Sequence, residues 1–320
     1  LPRGVAAGTP LPDVASALAR PQRQARPAIV GPVATLGARV AASPDGASRG
    51  TFRVDVITEH RLRHLDLCAA TLQSLDEGER ALRVYEAFLG RVPYENLSNN
   101  LAVAEAPDQP EAWPRATDRL LRDNARCGLG GTSFSLAYAL ADLLRGAGLN
   151  AHTTLGYNLV TEQAHAAVIV YVQGAPLLFD PALLVRGAVP VRPGGSLQDP
   201  LGLLGLEPRC GATLTVTLTA CSTWPHARKR AVYSLLPVPA PPPTYRQSCL
   251  ASFRRGRSLP LRIACRHDNV IWRYGERPHT IEILSASGRQ EEKLPADPVP
   301  RLVATFGIDG ACLESWFRRK

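Results

Sequence analysis

Three residues of this chain have the types and spacing of a nucleophile, a base and an acid that orients the base: Cys127, His165 and Asp180. A free thiol is only a few per cent ionised at neutral pH. A catalytic cysteine therefore needs a lowered pKa, a base within reach and a third group holding that base. Cys127 stands in NARCGLGGTS (124–133), between Arg126 and a run of glycines, and reads as lying at or just before a helix N-terminus. There Arg126 and the positive end of the helix dipole would favour a thiolate, and glycine-rich backbone would offer N–H groups to an oxyanion. His165 opens the alternating run HAAVIVYV, and Asp180 ends the run PLLFDP. A hairpin turning at Gln173-Gly174 brings them to the same end, in register for a bond from His165 to the Asp180 carboxylate. Such a bond sets the imidazole tautomer and stabilises its cation. Each residue alone has an ordinary reading, as a buried thiol, a strand-end histidine and a turn-forming aspartate before Pro181. Only the combination points to nucleophilic catalysis.

The elements that must position these residues follow from periodicity. Leu62, Leu65, Leu67, Leu72 and Leu75 fit one helix, and a second runs over 76–91 with Asp76 as its N-cap. VPYENLSNN (92–100) reads as an irregular polar segment, and 111–123 as a short helix. FSLAYALADLLRGAGL forms an apolar helix after the glycines, stopped at Gly146-Ala147-Gly148. The period then changes to that of strands at 151–160, 165–173 and 176–181, followed by a Pro/Gly-rich loop over 186–211. TLTVTLTA (213–220) alternates as a half-buried strand should, and further strands are expected at 231–237, 248–253, 259–265, 269–274 and 279–285. Residues 296–307 and 311–318 read as helices. The fold class is α+β, with a helical front, a middle of strands and a mixed tail.

Composition narrows the function. An apolar content of 45% with 20% charged residues is that of a globular protein with a core, and no stretch approaches 18 consecutive apolar residues, so no transmembrane helix is expected. The seven cysteines are scattered and never in CxxC spacing, which argues against a disulfide framework and a structural zinc site and for a reducing cytoplasm. The net charge of +9 is spread singly, with short runs at ARKR (227–230), RRGR (254–257) and RRK (318–320). None carries the aromatic interleaving of a nucleic-acid surface, so the charge reads as a solvated basic face, with some role in attracting a polyanionic small molecule. Residues 1–54 hold few acids and no sustained period, and read as a disordered leader, similar in composition to a transit peptide or to an over-extended start.

The Cys–His–Asp order resembles the arylamine N-acetyltransferase family, of the wider transglutaminase and papain-like set of thiol enzymes. VPYENL (92–97) is similar to the family's VPFENL segment, and CGLGGTSFSLAYALADLLRGAGLNAHTTLGYN (127–158) to its nucleophile helix and first barrel strand. The tail from AVYSLLP through RYGER to RLVATFGID is similar to its third domain, so the resemblance spans about 55–320. It implies a helical bundle over 55–150, an antiparallel β-barrel over 151–238 and an α/β lid over 239–320. It also implies acetyl-CoA as acyl donor, a small aromatic amine as acceptor, no metal, and a ping-pong route through acyl-Cys127 with His165 as base and Asp180 orienting it. Glu95 would buttress the site. The family's arginine four residues before the cysteine is absent, leaving Arg122 or Arg126 to pair with Glu95. A biosynthetic amide synthase, a transglutaminase-like amidase or peptidase, and a binding protein that kept the fold all fit the same residues.

Overall fold

The computed structural model describes residues 55–105, 114–158, 164–199, 202–220, 229–256 and 260–318; the leader expected over 1–54 lies outside them. The front of the chain is helical: α1 (Val56–His64), α2 (Ala69–Ser74), α3 (Glu77–Arg91), a two-residue strand β1 (Tyr94–Glu95), α4 (Leu97–Glu105), α5 (Thr117–Cys127) and α6 (Ser133–Gly146). The single helix expected across Leu62–Leu75 is broken in two, because Asp66 turns left-handed at φ 59° between buried Leu65 and Leu67. α3 starts where expected. Asp76 accepts from the Glu79 amide and Glu79 returns a bond to the Asp76 amide, satisfying two N-terminal donors. The segment 92–100 is not irregular: Tyr94 and Glu95 pair with a distant strand, and α4 begins at Leu97.

Eight strands follow: β2 (Asn150–Asn158), β3 (Ala164–Val172), β4 (Ala175–Phe179), β5 (Val189–Pro190), β6 (Ser196–Asp199), β7 (Gly202–Pro208), β8 (Leu214–Ala220) and β9 (Lys229–Leu236). They form one antiparallel sheet in the order β5-β4-β3-β2-β9-β8-β7-β6, whose edge strands approach one another to make a nearly closed barrel. Three of these strands lie in the expected loop 186–211. The signal was hidden because Pro190, Gly195, Gly202 and Gly205 interrupt short alternating runs such as Leu204 and Leu206, both buried. β3 is buried on both faces. Ala166, Val168 and Val170 pack against Leu136, Leu140 and Leu144 of α6, while Ala167 and Ile169 face Leu204, Val216 and Tyr233 across the barrel. This double burial fixes its register, since a one-residue slip would exchange the two sets.

The tail holds α7 (Pro242–Gly256), a meander of β10 (Ile263–His267), β11 (Val270–Tyr274), β12 (Thr280–Ser285) and β13 (Gly288–Lys293), and the helices α8 (Val299–Phe306) and α9 (Gly310–Phe317). A strand was expected at 248–253, but these residues belong to α7, whose buried Tyr245 and Cys249 stand four apart on one helical face. β10 pairs with β1, Tyr94 opposite Ala264 and Glu95 opposite Ile263, so the tail's sheet is completed by the PYE of the front segment. No helix among the described residues is long and apolar enough to cross a membrane.

Candidate active site

His165 and Asp180 are brought together by the β3–β4 hairpin. Its turn places Gln173 at φ 50° and Gly174 at φ 80°, the left-handed pair that matches strand twist. With Val168 opposite Phe179, Asp180 leaves β4 close to the start of β3, and His165 Nε2 lies 2.8 Å from Asp180 Oδ2. Both oxygens of the buried carboxylate are used. Oδ1 accepts the amides of Ala182 (3.0 Å) and Leu183 (3.1 Å), and Oδ2 also accepts the Tyr233 hydroxyl at 2.7 Å. Tyr85 donates to the Asp180 carbonyl at 3.0 Å and fixes the backbone there. Burial alone would raise the Asp180 pKa, but the His165 ring and the bonds from His165, Tyr233 and Leu183 outweigh it and hold the carboxyl below its ordinary value. Burial and the adjacent carboxylate push the Tyr233 phenol well above its ordinary value, so it remains a donor.

Tyr233 also lies beneath the imidazole, ring centroids 4.3 Å apart. Gly156, opposite His165 in β2, makes the room: a Cβ there would come within 2.5 Å of the Tyr233 ring. Nε2 donates its N–H to the Asp180 carboxylate, which leaves Nδ1 as the open ring nitrogen, with no hydrogen-bond partner among the described residues.

Cys127 is not placed as the sequence suggested. The apolar face of α5 (Leu120, Leu121) and the buried Asn124 carry the helix on to Cys127, and Gly128 ends it at φ 68° with its amide on the Asn124 carbonyl. Cys127 therefore closes a helix C-terminus, whose negative dipole end opposes a thiolate. Its carbonyl accepts the Asp309 amide at 2.8 Å, and its side chain packs with the cluster of Leu97, Leu129, Ile308 and Leu313. Beside it in the same cluster is Cys312, whose thiol burial and the neighbouring Cys127 push up to about 12. Cys127 does not line the cavity that His165 lines. Arg126 is exposed in the last turn of α5 and makes no ion pair among the described residues. The expected placement of Cys127 and Arg126 at a helix N-terminus is corrected accordingly: the glycines follow a helix end and lead into the next helix, which starts six residues later at Ser133.

Glu95 is fully buried and pins that glycine connection. Oε1 accepts the Gly130 amide at 3.1 Å and Oε2 the Ser98 amide at 2.7 Å. Neither Arg122 nor Arg126 partners it. Arg115 does, with its guanidinium 4.0 Å from Glu95 Oε1, bonded to Asp123 at 2.9 Å, to Ser98 Oγ at 3.0 Å and to the Gly130 carbonyl. Arg115 is itself almost fully buried, and burial pulls its pKa down even with Glu95 and Asp123 beside it. Gly130 passes so close to β1 that a Cβ would stand 1.7 Å from the Pro93 carbonyl oxygen. The connection is thus clamped, and it delivers Thr132 and Ser133 to one wall of a cavity of about 290 Å³.

His165 and Tyr233 line the same cavity, and α7 contributes Cys249 and Ser252. The opposite wall comes from the tail sheet and carries Arg262 and Arg273, with Arg230 from β9 and a single acid, Glu276. Arg262 Nε is buried with no hydrogen-bond partner among the described residues. Three guanidinium groups against one carboxylate suit an anionic ligand. Ser133, Tyr233 and Arg115 were missed by sequence reasoning. The signal that could have found Ser133 was Gly130-Gly131-Thr132-Ser133 at the head of a long apolar helix.

No family model matches the chain, and no curated protein matches it by sequence. Solved structures do. The arylamine N-acetyltransferase of Mycobacterium marinum aligns with TM-score 0.65 at 18% identity, covering 81% of this chain and 97% of that one, and a second structure of it, in complex with CoA, aligns equally. The enzyme from Salmonella typhimurium aligns with TM-score 0.63 at 14% identity over 84% of this chain and 100% of that one. The helical front, the eight-stranded barrel and the tail sheet thus have the fold of the arylamine N-acetyltransferases.

Proposed function

We propose that this chain is an N-acyltransferase that moves an acyl group from an acyl-CoA thioester to a small amine, with His165 as general base and Asp180 as the group that orients it. The observation that carries this reading is the His165–Asp180 pair at the edge of a cavity walled by arginines. Asp180 occupies Nε2 at 2.8 Å, so proton transfer runs through Nδ1. Arg230, Arg262 and Arg273 supply a cationic wall for the phosphates of CoA, and the CoA complex of a protein with the same fold supports that donor. A cavity of about 290 Å³ has room for a small acyl group and a small amine, and this favours amide synthesis over a peptide donor.

The test is to supply acetyl-CoA and longer acyl-CoAs with a panel of aromatic and aliphatic amines, following both amide product and free CoA thiol. Replacing His165 by Gln should lower the rate about 10²- to 10⁴-fold, the range of general-base catalysis. Ammonia release from a glutamine peptide, with no acyl-CoA consumed, would instead identify an amidase.

A further inference from the structure

The base at His165 implies a nucleophile in the same cavity, and Cys127 is outside it. The hydroxyl and thiol groups that share the lining can be told apart by their surroundings. Thr132 Oγ1 is taken by Asn99 Nδ2 at 3.4 Å. The Tyr233 hydroxyl is committed to Asp180. Cys249 is buried among the apolar residues of α7 and α6, and burial pushes its thiol up to about 12. Ser252 belongs to α7, ten residues into that helix, where the backbone amides are spent on intrahelical bonds.

Ser133 differs on every count. It is only 7% exposed, lines the cavity with His165, and its Oγ has no hydrogen-bond partner among the described residues. It is the first residue of the 14-residue helix α6, and Thr132, the N-cap, makes no side-chain capping bond. The first intrahelical donor is the Leu136 amide, to the Thr132 carbonyl at 3.0 Å, and the amides of Ser133, Phe134 and Ser135 have no acceptor among the described residues. Tyr245 holds this turn from the other side by donating to the Phe134 carbonyl at 2.6 Å. A free hydroxyl, a histidine with an open nitrogen and a fan of unused amides at the positive end of a helix are the parts of a serine acyl-transfer site.

We propose that Ser133, and not a cysteine, accepts the acyl group, so that the covalent intermediate is an oxygen ester. Ser133 Oγ attacks the thioester carbonyl as its proton passes to His165 Nδ1. The C–O bond forms, the C–S bond breaks, and His165 returns the proton to the departing CoA sulfur. The amine then attacks the Ser133 ester. A C–N bond forms, the C–O bond to Ser133 breaks, and the amine proton reaches Ser133 Oγ through His165. The amides of the first turn of α6 hold the tetrahedral oxyanion in both steps. The CoA donor in this scheme rests on the proposed function; the activated serine does not.

Two probes separate these parts. The full chain is treated with acetyl-CoA, and separately with a fluorophosphonate, which phosphonylates activated serines without needing CoA recognition. Adducts are located by peptide mass mapping. The expected result is acetyl and phosphonyl groups on Ser133, with phosphonylation at least 100-fold slower in His165→Gln and unchanged in Cys127→Ala. The acetyl group should survive neutral hydroxylamine, which strips thioesters. Ser133→Cys, which keeps the volume and the turn, should accept the acetyl group in a hydroxylamine-labile form, and an unchanged melting temperature shows that it folds. Phosphonylation without acetylation would uphold Ser133 and reject the CoA donor. Acetylation at Cys249 or Cys127, or no adduct on Ser133 from either probe, would overturn the inference.

Discussion

Replacing Tyr233 by Phe removes one hydroxyl and leaves the ring beneath His165 in place, so it isolates a single bond of the site. That hydroxyl donates to Asp180 Oδ2 at 2.7 Å, and both groups are buried. A bond to a charged acceptor contributes about 1.5–3 kcal/mol, and Asp180 keeps its other three donors, so a loss of about 2 kcal/mol is expected. For a unit of this size that is a fall of roughly 4–8 °C in melting temperature, or about 30-fold in the unfolding equilibrium. The pH dependence has a definite sign. Asp180 has a folded-state pKa held below its ordinary value. Its contribution is therefore full above the unfolded carboxylate value of about 3.9, and it is lost as pH falls through the lower folded value. Without the Tyr233 hydroxyl the folded value rises, so the gap between parent and variant should be widest at neutral pH and shrink below about pH 4. Denaturant melts of both proteins between pH 3 and pH 8 measure this. Equal stability at pH 7, or a gap that stays constant down to pH 3, would refute the reasoning that Tyr233 stabilises the Asp180 carboxylate.

Other substitutions bear on the rest of the site. Gly130→Ala drives a Cβ into the Pro93 carbonyl, and neither backbone segment can yield; a loss of about 3 kcal/mol or more and of acyl transfer is expected, read by thermal unfolding and amide formation. Arg115→Met leaves Glu95 and Asp123 without their buried partner and should cost about 3–5 kcal/mol in a denaturant melt. Cys127→Ala removes a half-buried thiol outside the cavity; about 1 kcal/mol of stability is expected to go while the acyl-transfer rate stays at the parental level. Arg273→Gln should raise the KM for acyl-CoA with little change in kcat, and should flatten the salt dependence of that KM.

Long periodic segments were legible in the sequence, and so was the hairpin that carries His165 and Asp180. α3 with its Asp76 cap, the apolar α6, and β2, β3, β4, β8 and β9 all lie within two residues of expectation, because strong periodicity and turn residues mark them. His165 and Asp180 followed from hairpin register, which is local. Cys127 did not. Its neighbours were read as the start of the helix after the glycines, although DRLLRDNARCG carries a helix end: basic residues in the last turn and glycine just beyond. That shift of six residues placed the helix N-terminus at Cys127, where the structure has it at Ser133. Arg115 was beyond reach of local pattern, because its partners Glu95, Ser98 and Gly130 come together only when β1 pairs with β10 and the glycine connection crosses it. The strands hidden in 186–211 are short and proline-punctuated, and closure of the barrel selects them rather than propensity.

The most direct test of acyl transfer through this cavity is rapid mixing of the protein with acetyl-CoA in the absence of amine, counting CoA thiol released in the first turnover. An acyl-enzyme formed with His165 as base requires a burst approaching one thiol per chain, abolished by His165→Gln and followed by faster turnover when amine is added. Steady amide formation with no burst, or an equal burst from His165→Gln, would contradict it.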